Sequence, residues 1–182
     1  MPDLVVPTTA VHRSFLAAWD ELDESEDRWM GAHAHSPDES WTRSQAADPA
    51  EFARMVAAIR RDADPAAPMP ADIVHQTVLW WVDGDEWLGR LSIRHVLNRF
   101  LLEIGGHIGY VVRPSARGRG HATAMLAASL PVAARLGIEQ ALVTCDTDNV
   151  ASRKVIQACG GVFEDQRDNK LRFWIPTRPP TG

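Results

Sequence analysis

Apolar residues recur along this chain with two periods, one near 3.6 and one of 2. From Thr9 onward, Phe15, Leu16, Trp19 and Leu22 follow helical spacing with acidic residues on the far side, which predicts an amphipathic helix fading by Glu24. Residues 4–9 ahead of it predict a short strand, with Pro7 suited to a sheet edge. Asp48-Pro49-Ala50-Glu51 is a helix start: a capping side chain, a proline at the first helical position and an acid placed to close a capping box. That helix is predicted to reach about Asp62 on a buried stripe of Phe52, Met55, Val56 and Ile59, and the three prolines between Asp64 and Pro70 end it.

The period then changes. Residues 74–83 predict a strand with Val74, Val78, Trp80 and Val82 on one face, and Asp83-Gly84-Asp85 turns the chain. In the next strand Trp87, Leu91 and Ile93 alternate with Arg90, Ser92 and Arg94, a half-buried pattern. A loop from Asn98 to Gly106 leads to a strand over 107–113. A helix over 119–136 stops at Gly137, and Pro131 inside it is expected to kink or split it at a cost of about 3 kcal/mol. A strand over 140–146, a helix over 149–159 with Val155 and Ile156 inward, and a hairpin around Asp168-Asn169 follow. Residues 177–182 form a proline-rich tail expected to fray. Two successive hairpins and then a strand–helix–strand connection predict an α+β fold with a mixed, mostly antiparallel sheet flanked by helices.

The 182 residues suffice for one domain with a substantial core. A net charge of −5 argues against general nucleic-acid binding, which favours a basic excess. No apolar run approaches the ~20 residues of a membrane span and the N-terminus has no signal-peptide pattern, so no membrane partner is expected and the location is read as cytoplasmic. Cys145 and Cys159 are read as reduced and buried, and His33 and His35 as loop residues, so no metal is expected.

One stretch is built to hold an anion: Val111-Val112-Arg113-Pro114-Ser115-Ala116-Arg117-Gly118-Arg119-Gly120-His121-Ala122-Thr123 runs from a strand into a helix. A helix's first turn leaves N–H groups without intrahelical partners, and the peptide dipoles make that end partly positive. Gly118 and Gly120 let a phosphate approach the backbone, while Arg117 and Arg119 add charge and forked donors. A Walker A loop is excluded, because His121 and Ala122 stand where Lys and Ser or Thr belong. The dinucleotide fingerprint lacks its third small residue, Thr123 standing there. A solvated surface turn is the alternative.

Arg117-x-x-Gly120-x-Ala122 after the strand Ile108–Val112, followed by the strand Ala141–Cys145, then Asn149, Ser152 and a helix ending at Gly160-Gly161, resembles the acetyl-CoA motifs of the GNAT acyltransferases across roughly residues 74–175. The resemblance implies residues 1–73 walling an acceptor pocket and residues 74–176 forming the sheet core with the acetyl-CoA site. It lays the pyrophosphate on the amides of Arg117, Gly118, Arg119, Gly120, His121 and Ala122. The pantetheine arm then runs along Tyr110, Val111 and Val112 with a contact from Asn149, and the Val112 N–H donates to the thioester carbonyl. Trp29 and Trp41 become candidate acceptor contacts. The implied reaction is direct attack by a primary amine of a small molecule or peptide on the thioester. An alkylammonium pKa of about 10.4 calls for a base, and Glu103 and His107 are the candidates, directly or through water. The tyrosine that many members use to protonate the departing thiolate is replaced by Ile156, leaving Ser152 or water. A catalytically silent acyl-CoA-binding module therefore stands as an alternative, as does a helix-loop nucleotide binder. A homodimer is compatible with the resemblance.

Overall fold

The computed structural model describes residues 1–23, 26, 30 and 40–178. Seven strands form one sheet: β1 (Asp3–Val5), β2 (Gln76–Asp83), β3 (Glu86–Arg94), β4 (Ile108–Val112), β5 (Gln140–Asp146), β6 (Val162–Arg167) and β7 (Lys170–Pro176). Their spatial order is β1-β2-β3-β4-β5-β7-β6. Only the central pair β4–β5 is parallel; every other neighbouring pair is antiparallel. α1 (His12–Glu21) and α3 (Pro49–Arg61) cover one face, with the short α2 (Arg43–Ala46) before α3, and α4 (His121–Arg135) and α5 (Val150–Ala158) cover the other. Among the described residues no helix is long and apolar enough to cross a membrane.

Each face has its own core. Phe15 of α1 is the hub of the first, with ring centroids 5.0 Å from Trp80, 5.2 Å from Phe52 and 5.4 Å from Trp87. Met125, Leu126 and Ile156 pack the second against Leu91, Ile93, Ile108, Val143, Phe173 and Ile175. α1, α3, α4 and α5 arise where their periodic stripes and caps foretold, whereas α2 was not foreseen. The Asp48 carboxylate accepts from the amides of Ala50 and Glu51, but the Glu51 side chain turns to Arg54 and Trp41 instead of closing a box. The reciprocal box forms one helix earlier, between Thr42 and Gln45.

Four expectations are corrected. Trp87 does not share a face with Leu91 and Ile93: Trp81 opposes Gly89 while Val82 opposes Trp87, so Leu88 is an extra residue and its bulge moves Trp87 to the α1/α3 core. The polar face of β3 is not solvated, since Arg90 and Ser92 are 5% and 2% exposed. The segment before β4 is not an open loop; Leu101–Gly105 is a π-helical turn, tied to β5 by the Thr144 hydroxyl donating to the Ile104 carbonyl at 2.6 Å. Pro131 neither splits nor ends α4, which runs through it as one element.

Candidate active site

The site forms where the parallel pair comes apart. β4 and β5 share one residue pair, Ile108 opposite Val143. The apex is clasped by His107, whose N–H donates to the Leu142 carbonyl at 2.6 Å while its Nδ1 accepts from the Leu142 N–H at 2.9 Å. Beyond Ile108 the strands separate. The Arg113 N–H faces β3, donating to the Leu88 carbonyl, so by strand alternation Tyr110 and Val112 direct their backbone groups toward the gap. The Val112 carbonyl is taken by Arg117 Nε at 2.9 Å, which leaves the Val112 amide as the group facing the cleft.

At the mouth of this cleft Gly118 and Gly120 have φ of 76° and 82°, and a Cβ built on either would meet nothing within 4 Å. Gly120 caps α4 in the left-handed region and no side chain caps the helix, so the first-turn amides of His121, Ala122 and Thr123 have no side-chain cap. A bare, concave donor surface of this kind fits a diphosphate. The His121 ring does not face it; its Nδ1 accepts from the indole of Trp81 at 3.2 Å, so His121 offers its backbone only.

The arginines do not form the free cationic patch expected. Arg113 is buried against α1, bonded to Glu21, with Glu86 at 3.4 Å. Arg117 joins the Val112 carbonyl to Glu26, 2.6 Å away. Arg119 is exposed and, among the described residues, in no ion pair. The acidic residues that hold this loop were legible only as the polar side of a helix; the signal was an acidic run, 20–27, matching an arginine-bearing loop. Burial disfavours the Glu21 charge, but hydrogen bonds from Arg113 and from the Ser115 amide and hydroxyl overcome it and hold its pKa down to about 2. A carboxyl depressed on folding stabilises above its unfolded pKa and loses that stability as pH falls through the folded value. Glu21→Gln is therefore expected to cost about 3 kcal/mol at pH 7. Urea denaturation of the two proteins should show the gap narrowing from about pH 5 downward and closing only below the folded Glu21 pKa of about 2, where both side chains are neutral.

The structure brings together Tyr110, Asn149 and Ser152. Tyr110 reaches across the gap from β4 to α5, its hydroxyl 2.7 Å from Ser152 Oγ. Burial pushes this phenol up to about 12, against the opposing hydrogen bond with Ser152. Asn149 caps α5, its Oδ1 accepting from the Ser152 amide at 2.9 Å, so Asn149 and Tyr110 fix Ser152 from two sides. His107 does not meet the requirements of a base: it is 8% exposed, its Nδ1 lone pair is used, and burial with the nearby Arg94 guanidinium lowers its pKa to about 4. Glu103, on the π-turn, binds Arg167 through Oε2 at 2.5 Å and lines a cavity of about 500 Å³ with Asp72, Asn98, Phe100 and Ile104. Trp41 is a core residue whose indole donates to Glu51; Trp29, His33 and His35 lie outside the described residues.

Solved structures share this fold. Mycobacterium smegmatis RimJ, in complex with CoA-disulfide, superposes with a TM-score of 0.63 at 17% identity over 96% of this chain and 81% of that one. The ribosomal-protein-S5-alanine acetyltransferase of Vibrio fischeri gives 0.59 at 14% identity over 97% and 92%. The microcin C7 self-immunity acetyltransferase MccE, in complex with acetyl-CoA and AMP, gives 0.58 at 12% identity over 96% and 92%. At such identities the likeness is one of fold. No curated protein sequence matches the chain. The model of the acetyltransferase (GNAT) domain, however, matches residues 8–162, which takes in α1, the clasped apex, the glycine cradle and α5. On that match the chain belongs to the GNAT family of acetyl-CoA-dependent acetyltransferases.

Proposed function

We propose that the protein transfers the acetyl group of acetyl-CoA to a primary amine of a small molecule or peptide by direct attack, in the cytoplasm. The observation that carries this reading is the uncapped, side-chain-free start of α4 opening onto the gap between β4 and β5. The amides around Gly118, Gly120 and Ala122 would hold the pyrophosphate, with Arg119 beside them. The arm would lie along Tyr110, Val111 and Val112 past Asn149, and acetyl-CoA supplies the activated thioester. The Val112 amide is the donor toward the carbonyl oxygen on which negative charge builds. The amine approaches from the α1/α3 side of β4, the face that Gly109 shares with Val111. Of the two base candidates the reading keeps Glu103, acting through water, because its Oε1 lies outside the ion pair with Arg167. Ser152 serves the sulfur side.

Calorimetry with acetyl-CoA, then free-thiol release over a panel of amines and N-terminal peptides, tests it. Micromolar binding and thiol release that depends on one class of amine are expected. Binding with no release on any amine overturns the enzyme reading in favour of an acyl-CoA-binding module. ATP or NAD displacing CoA would favour a general nucleotide binder.

A further inference from the structure

The family's usual acid position is Ile156, fully buried in the α4/α5 core, so no hydroxyl comes from that turn of α5. The hydroxyl that replaces it has a partner the sequence does not reveal. Tyr110 and Ser152 come from opposite walls of the gap and meet at 2.7 Å. Tyr110 lies two residues past the apex at Ile108, about 7 Å along the strand, so the pair stands deeper in the cleft than Val112. A cofactor arm anchored by its diphosphate at Gly118–Ala122, with its thioester carbonyl on the Val112 amide, places its sulfur in the stretch of the gap between Val112 and this pair.

We propose that Tyr110 is a positioning residue that donates its phenolic hydrogen to Ser152 Oγ and so presents the Ser152 hydrogen to the coenzyme A sulfur, stabilising the departing thiolate as a hydrogen-bonded anion without protonating it. This rests on the acetyl-CoA reading above. The geometry allows either hydroxyl to donate in the 2.7 Å bond; the donor role is assigned to the phenol, the stronger acid, which also donates to the Ser152 carbonyl at 3.4 Å, and this leaves Ser152's own hydrogen available. Asn149 pins the Ser152 backbone, which fixes where that hydrogen can point. Outright transfer from the pair is disfavoured, because a phenol near 12 is a weaker acid than an alkyl thiol near ~8.5 by more than a thousandfold. The atoms balance without it. The amine nitrogen forms the C–N bond, the C–S bond breaks with its electron pair on sulfur, the ammonium proton passes to water, and the thiolate leaves held by Ser152 with Tyr110 polarising it from behind.

The test needs no acceptor. Ultraviolet thiolate absorbance of coenzyme A bound to the protein is titrated against pH, with protein alone subtracted because burial raises the thiols of Cys145 and Cys159. The bound thiol is expected to titrate about one unit lower than free coenzyme A, a tenfold gain in thiolate. Tyr110→Phe and Ser152→Ala should each return it to the free value, and Ser152→Thr, which keeps the hydroxyl, should retain the shift. A merely structural Tyr110 would weaken binding and leave the bound thiol's titration unchanged, which overturns the proposal. An unshifted thiol in the wild-type complex overturns it as well. Failure of coenzyme A to bind the wild type would instead remove the cofactor reading on which it rests.

Discussion

Gly106→Ala is expected to lower stability by about 2–6 kcal/mol, read as a drop of roughly 5–20 °C in melting temperature and a matching shift in urea midpoint. Gly106 sits at φ 64°, ψ −178°, a region that only glycine occupies without strain. A Cβ there would lie 2.6 Å from the Leu142 carbonyl oxygen, a backbone atom that cannot turn aside. That same oxygen accepts the His107 N–H, so relief of the clash breaks the clasp that sets where β4 and β5 part. Two costs coincide here, of about 1–3 kcal/mol each for backbone strain and for overpacking. Any folded remainder should bind coenzyme A poorly, since the apex fixes the depth of the cleft. A change below about 1 kcal/mol would mean that the turn does not abut β5 as described.

Gly120→Trp should reduce coenzyme A affinity at least a hundredfold, about 2.7 kcal/mol, while the protein stays folded. Its φ of 82° makes a non-glycine residue cost about 1–2 kcal/mol, a few degrees of melting temperature. Nothing in the protein lies within 4 Å of the added Cβ, so the indole projects into the space over the first-turn amides of α4 without disturbing the core. Loss of binding is thus uncoupled from loss of fold, in contrast to Gly106. Calorimetry with coenzyme A alongside thermal melting distinguishes the two, and wild-type affinity in the variant would sink the placement of the diphosphate. The contrast follows from surroundings alone: both glycines have positive φ, but one faces a backbone carbonyl and the other faces solvent.

The sequence by itself determined what local chemistry determines. Asp48 before Pro49 starts α3, Gly84 and the Asp168-Asn169 pair turn the chain, and Val78, Trp80 and Val82 share a buried face, because caps, turns and two-residue alternation act within a few residues. The glycine cradle was legible for the same reason, being a strand, a turn and a helix start in one continuous run. Only the tertiary structure decided where groups distant in the chain meet. It placed Trp87 across the sheet through a one-residue bulge, committed Arg113 to Glu21 of α1, some 92 residues away, and used the His107 ring to seal the β4–β5 apex. It also set Tyr110 against Ser152, a pairing that depends on how far two parallel strands diverge. Bulges and strand splay are settled by packing against both covering layers, and packing is a property of the assembled sheet that no window of sequence contains.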